Sequence, residues 1–299
     1  MRVLDLFCGC GGLSLGFQNA GFRIVSAYDV WDKAVSIYNA NFGHNAEILD
    51  LSSVTSAYFD GIETDIIIGG PPCQDFSSAG NRNEGNGQAD LTITFAELVC
   101  GIAPRWFVME NVDRVVKSFT LQETIEIFRA HDYGLTQVVL DASKCGVPQK
   151  RKRFFLIGEL RGQDDFLRNK LLGSMSNTRM TIYDYLGDEL DTEYFYRHPR
   201  SYARRAIFSI NEPSPTIRGV NRPIPSTYNI HSGDATSDLS LVRVLTTAER
   251  ARLQTFPRSF VFTGTKTDLE QIIGNAVPVN LAQYVANCLR EYIFEESCA

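Results

Sequence analysis

Long apolar runs are missing from this 299-residue chain: nothing approaches the roughly 18 consecutive apolar residues of a membrane span. Histidine is scarce, at four, and the seven cysteines show no paired spacing. Cys8-Gly9-Cys10 is too tight for the usual zinc pattern, so no metal site is expected. An odd cysteine count points to a reducing compartment, and MRVLDLF runs straight into a strand pattern. A cytoplasmic protein without a leader or membrane partner is therefore expected. Internal repeats and low-complexity tracts are absent too. The remaining composition is ordinary, 44% hydrophobic and 21% charged, and suits one large domain or a domain with an insertion.

The net charge of −6 conceals an asymmetry. Residues 150–258 hold 18 Lys/Arg against 12 Asp/Glu, and the remainder holds 11 against 23. A basic middle in an acidic protein suits either a polyanion-binding face or a solvated surface.

Asp65-Ile66-Ile67-Ile68 reads as a buried parallel strand, and Gly69-Gly70-Pro71-Pro72 stops it before a single thiol, Cys73. A cysteine at the carboxyl end of a parallel strand stands where open α/β sheets place their ligands. Taken alone, it is more readily a small buried hydrophobe.

At the N-terminus, Arg2 to Phe7 reads as a strand, Cys8-Gly9-Cys10-Gly11-Gly12 as a turn, and Leu13 to Ala20 as a helix closed by Gly21. Strand, glycine-rich turn and helix open a nucleotide-binding α/β sheet. Arg23 to Tyr28 is the second strand, and Asp29 after it stands where such folds bond ribose hydroxyls. Trp31 could stack on an adenine, and Ile48-Leu49-Asp50-Leu51 ends a third strand on another carboxylate. The glycine pattern is not a clean G-x-G-x-x-G, which favours an S-adenosylmethionine (AdoMet) transferase over an NAD(P) oxidoreductase. Residues 91–103 and 121–131 read as helices. Arg105 to Met109 reads as a strand delivering Glu110-Asn111 to the same edge as Cys73. Gln137–Leu140 and Arg153–Gly158 read as paired strands flanking a basic turn at 147–153. From Gly162 to Leu241 the βα alternation stops, as for a loop-rich inserted domain. Thr247 to Gln254 reads as a helix, and Gly274-Asn275-Ala276-Val277-Pro278 opens a last one.

These residues, in this order, resemble the bacterial cytosine-C5 DNA methyltransferases. Asp5 to Gly12 is similar to the family's AdoMet loop, and Pro71-Pro72-Cys73-Gln74 with Phe76-Ser77 to its nucleophile loop. Met109-Glu110-Asn111-Val112 resembles its Glu-Asn-Val motif, and Gln149, Arg151 and Arg153 its Gln-x-Arg-x-Arg motif. Arg243 through Pro257 and Gly274 through Pro278 resemble its last two motifs. Asp29 departs from the usual Glu, and Ala79 from the Ser of some members.

The resemblance implies a Rossmann-like class I AdoMet-dependent sheet, with 1–161 and 242–299 catalytic and 162–241 a small inserted target recognition domain. The last helix would pack back on the N-terminal part. It implies methyl transfer to C5 of a flipped-out cytosine in a specific double-stranded DNA sequence, leaving S-adenosylhomocysteine. Cys73, Glu110, Arg151 and Arg153 would be catalytic. Phe7, Gly9, Gly11, Gly12, Leu13, Asp29, Val30, Trp31, Asp50, Leu51, Pro72, Leu91, Asn275 and Val277 would hold AdoMet. Gln74, Ser77, Gln149, Thr216, Arg218 and Arg222 would meet the substrate, with Asn221 nearby. A cognate restriction endonuclease, not physically bound, and association with the nucleoid are implied as well. A tRNA methyltransferase of the same family and a catalytically dead DNA-binding paralogue are the alternatives, and the latter would have lost Cys73 or Glu110.

Overall fold

The computed structural model describes residues 1–72, 90–201 and 203–298. The chain forms two compact units, Met1–Leu140 with Lys152–Ser174 and Ala282–Ala299, and Asp141–Arg151 with Met175–Leu281.

In the first unit, β-branched and aromatic runs become strands: β1 (Arg2–Leu6), β2 (Arg23–Asp29), β3 (Ala46–Ile48), β4 (Ile66–Gly69), β5 (Trp106–Val112) and β6 (Tyr133–Asp141). A two-residue strand, β7 (Gln149–Lys150), belongs to the second unit, and β8 (Lys152–Leu160) returns to the first. The sheet order is β3-β2-β1-β4-β5-β8-β6. β1 to β5 pair in parallel, and β8 runs antiparallel to β5. The order reverses direction between β1 and β4, so the crevice beyond their carboxyl ends is where such a sheet takes ligands.

Helices α1 (Gly12–Asn19), α2 (Asp32–Asn39), α3 (Leu91–Ile102) and α4 (Phe119–Ala130) follow the parallel strands. Asp90 and Ser118 cap α3 and α4 by accepting from Thr92 N and Leu121 N. α3 stops at Ala103, which is left-handed (φ 54°) and precedes Pro104. The core under these helices contains Leu4, Leu6, Ile67, Phe95, Phe107, Met109 and Phe128. Gly69 is required there, because a Cβ would lie 2.3 Å from the carbonyl oxygen of Leu6.

The chain continues with α5 (Arg168–Gly173), α6 (Ile182–Leu186), α7 (Thr247–Leu253), α8 (Lys266–Asn275) and α9 (Val279–Cys298). Within the first unit, Arg290 of α9 donates to Ala20 O at 2.7 Å, beside the end of α1. None of the described helices is long and apolar enough to cross a membrane.

The second unit has a small sheet, β10 (Ile207–Ser209), β9 (Tyr194–Tyr196) and β12 (Val242–Val244) in that order, and β7 pairs in parallel with β11 (Ser214–Pro215). Asp234 organises it, accepting from the amides of Ala206 and Ile207 and from the Tyr228 hydroxyl. Compactness divides the chain differently from the boundaries 162 and 241. β12 pairs with β9 and β7 with β11, which draws Asp141–Arg151 and the segment to Leu281 into this unit, while α5 stays with the first.

Candidate active site

The glycine-rich turn leaves β1 through Phe7, whose φ of 65° is left-handed and uncommon for a bulky residue. Strain of this kind is characteristic of ligand sites. Gly11 (φ 93°) precedes α1, and a Cβ there would lie 2.4 Å from the Phe42 ring. A Cβ at Gly9 would meet nothing within 4 Å among the described residues. Gly12 and Leu13 are the buried first residues of α1.

Asp29 braces this turn. One carboxylate oxygen accepts from Gly9 N and the other from Trp31 N, each at 2.8 Å. Burial raises its pKa against those amide bonds. Next to it, Val30 is 62% exposed, and Ile48, the cross-strand partner of Asp29, is 61% exposed. An apolar rim beside a carboxylate is the kind of surface that could hold an adenosine. Ile48 joins this rim and went unrecognised in the sequence, where it reads as one more strand residue. Asp50 is not a strand end. It caps a 3₁₀ turn at Leu51–Ser53, with one oxygen on Ser52, and Leu51 packs into the core.

Beneath the turn, Asp5 is fully buried with one oxygen on Ser14 Oγ at 2.6 Å and the other without a partner among the described residues. Ser14 accepts from the Tyr38 hydroxyl, which also meets His44. Burial, helped by the charge of Asp29, pushes Asp5 up to about 8, and burial takes Cys10 to about 12 and Cys8 well above its usual value. A raised carboxyl pKa means the folded state keeps a proton that the unfolded state releases. Stability from Asp5 is therefore complete below about pH 4 and is lost as pH rises to about 8. Asp5→Asn, neutral throughout, is expected to remove that fall. The test is urea unfolding from pH 4 to 9, with the difference between wild type and variant growing up to about pH 8 and then levelling.

The second edge of the crevice is built on β4 and β5. Asn111 donates from Nδ2 to the Pro71 carbonyl at 3.2 Å, tethering the chain two residues before Cys73. A Cβ on Gly70 would come within 3.3 Å of Glu110 Oε2, so the backbone lies against that carboxylate. Glu110 is held by Arg153, whose Nε is 2.6 Å from Oε1, with both side chains about nine-tenths buried. The antiparallel register sets Arg153 opposite Val112, and Glu110 is its diagonal neighbour on the same face. β5 reaches Val112, three residues beyond the expected end, because β8 pairs with it throughout. Pro72 is exposed and Leu91 half-buried at the start of α3. Cys73, Gln74 and Ser77 lie outside the described residues.

In the second unit, Gln149 and Arg151 are both engaged inside the protein. Gln149 is fully buried, donating to Leu253 O and Gln254 Oε1 and accepting from Ile217 N. Arg151 is 1% exposed and donates to the carbonyls of Ile217, Gly274 and Ala276. Together the two side chains join three of the sequence motifs by hydrogen bonds. Gln254 completes the network by donating to Ile273 O and Ala276 O. Its signal in the sequence was only its place in Leu253-Gln254-x-Phe256-Pro257. Thr216 is also engaged, donating to Lys150 O, and half-buried Arg218 donates to His198 O. Arg222 is exposed, and Asn221 bonds Leu245 O and Glu270. Asn275, exposed, accepts from Gln271, and Val277 is buried.

A glycine turn over β1 and a Pro-Pro edge after β4, on either side of the switch point, are the framework of a Rossmann-like methyltransferase. The family profile for C-5 cytosine-specific DNA methylases matches residues 1–291. The chain belongs to that family and is a DNA (cytosine-5-)-methyltransferase. It is 57% identical to Type II methyltransferase M.HindV of Haemophilus influenzae, over 97% of this chain and 96% of that one. Type II methyltransferase M.HgiDI of Herpetosiphon aurantiacus is 55% identical, over 98% and 95%. Dnmt2 methyltransferase of S. pombe superposes with a TM-score of 0.76 over 98% of this chain and 99% of that one, at 22% identity, and shows the fold alone.

Proposed function

We propose that this enzyme methylates C5 of a flipped-out cytosine in a specific double-stranded DNA sequence through a covalent bond from Cys73 to C6, as the modification half of a restriction–modification pair. The observation that carries this is the buried Glu110–Arg153 pair lying against Gly70, three residues before the thiol. C5 of cytosine is a poor nucleophile. Addition of the Cys73 thiolate at C6 breaks aromaticity and moves the electron pair onto C5 and N3. Glu110 relieves the charge at N3 by hydrogen bonding or proton donation, and accepts from the exocyclic amine. Among the described residues Arg153 spends Nε on Glu110 and Nη1 on Lys152 O, which leaves Nη2 for the base carbonyl. AdoMet, held by the glycine turn, Asp29, Val30, Trp31 and Ile48, supplies the methyl group that C5 takes. Loss of the C5 proton then expels Cys73 and restores the ring. None of this is reachable in a stacked duplex, so the base must leave it. Residues 162–241 would choose the sequence. Bisulfite or single-molecule sequencing of plasmid DNA from cells expressing the chain tests the reading. C5-methylcytosine at one recurrent sequence is expected, and unmodified DNA under confirmed expression would overturn it.

A further inference from the structure

Five arginines converge on two segments of the second unit, 197–200 and 216–222, and they divide into two kinds. Three are spent inside the protein. Arg197 donates to Thr216 O at 2.9 Å, Arg218 to His198 O and Arg250 to Arg218 O. Arg250 is also paired with Glu270, both nearly fully buried. Those bonds lock the two segments together. Arg200 lies two residues from His198 and Arg222 four residues from Arg218, so both stand at the edge of the locked region. Both are exposed, and among the described residues neither has a hydrogen-bond or ion-pair partner.

The electrostatic setting is uncompensated. Burial first, and then neighbouring arginines that include Arg200, hold Arg197 down at about 10. Burial and Arg200 lower Arg218, while burial, Arg222, Arg218 and Arg197 lower His198. Glu270, already taken by Arg250, is the one carboxylate bonded to these five guanidiniums among the described residues. Crowding like charges destabilises a free protein and is relieved by a polyanion.

We propose that Arg200 and Arg222 are contacts to the DNA phosphate backbone, and that Arg197, Arg218 and Arg250 are positioning residues that hold them in place. This rests on the DNA reading above and removes Arg218 and Arg222 from the base readers. Base readout needs a guanidinium fork of fixed orientation. Arg200 and Arg222 have no side chain bracing them among the described residues, whereas a phosphate asks for charge at a position. The exposed pair therefore suits the sequence-independent part of the grip.

The test uses the full chain with two labelled duplexes of equal length, one carrying the site mapped by plasmid sequencing and one scrambled. Dissociation constants are measured across 50–200 mM salt for wild type, Arg200→Ala, Arg222→Ala and the double variant. Each single substitution is expected to weaken both duplexes by the same factor. Each should also reduce the salt slope of log Kobs by about 0.9, and the double variant by about 1.8. Arg200→Lys and Arg222→Lys should restore most of the slope, since charge rather than fork geometry is needed. Weakening confined to the cognate duplex would make these residues base readers and overturn the proposal. Unchanged slopes in variants that keep the wild-type melting temperature would overturn it as well. Failure of wild type to bind either duplex would sink the DNA reading itself, an outcome separable from the other two.

Discussion

Duplex DNA carrying 5-fluorocytosine at the target should form a denaturation-resistant complex with the wild-type enzyme and AdoMet, and none with Cys73→Ala. Once the thiolate has added at C6 and C5 has been methylated, the ring can recover only by losing the original substituent on C5 as a cation. A proton leaves this way and fluorine does not, so the adduct persists. Apart from Cys298, which is exposed on the last helix, the other thiols are poor substitutes. Burial raises Cys8 well above its usual value and Cys10 to about 12, and Cys100, Cys145 and Cys288 are buried as well. Loss of turnover should be complete, with AdoMet affinity preserved because the turn over β1 is untouched. A trapped complex that survives Cys73→Ala would remove Cys73 from the chemistry.

Glu110→Gln is expected to lower turnover by about 10²–10⁴-fold, the usual contribution of a positioned acid. Glutamine keeps the shape at the end of β5 but cannot protonate N3. It also leaves Arg153 without its carboxylate, and breaking a buried pair from one side costs about 3–5 kcal/mol. Single-turnover rates should therefore be normalised to the folded fraction. AdoMet titration should show an unchanged dissociation constant. An equal loss of cofactor binding and rate would make Glu110 a cofactor or structural residue instead.

Local patterns explain most of what the sequence reveals here. The glycine turn, the β-branched run before Gly69 and the Ala103-Pro104 stop are each decided within a few residues, and the strands and helices around them follow. The last turn of β5 was different, because its extension to Val112 depends on β8, some forty residues later. The surroundings of Gln149 and Arg151 depend on distant chain in the same way. A stretch reading Gln-Lys-Arg-Lys-Arg looks like a solvated basic turn, yet alternate residues point opposite ways. Arg151 is consumed by carbonyls 66 to 125 residues away. α8, with its cap at Thr265, was hidden between two recognisable motifs. The backbone of the glycine turn was legible from its own residues, whereas the exposure of Ile48 depends on its position beside Asp29.

The antiparallel sense of β8 carries a further consequence. An antiparallel strand brings its amino end to the edge where its parallel neighbours end, so Arg153 arrives at the crevice within two residues of entering the sheet. Side chains alternate along a strand, and a slip of one residue would exchange Arg153 for Lys152 or Phe154 on the Glu110 face. Chain length between β6 and β8 can thus vary freely only while the Val112–Arg153 pairing holds. Insertions there should be judged by parity of register, since a single-residue frameshift of the ladder would part Arg153 from Glu110 without removing either side chain.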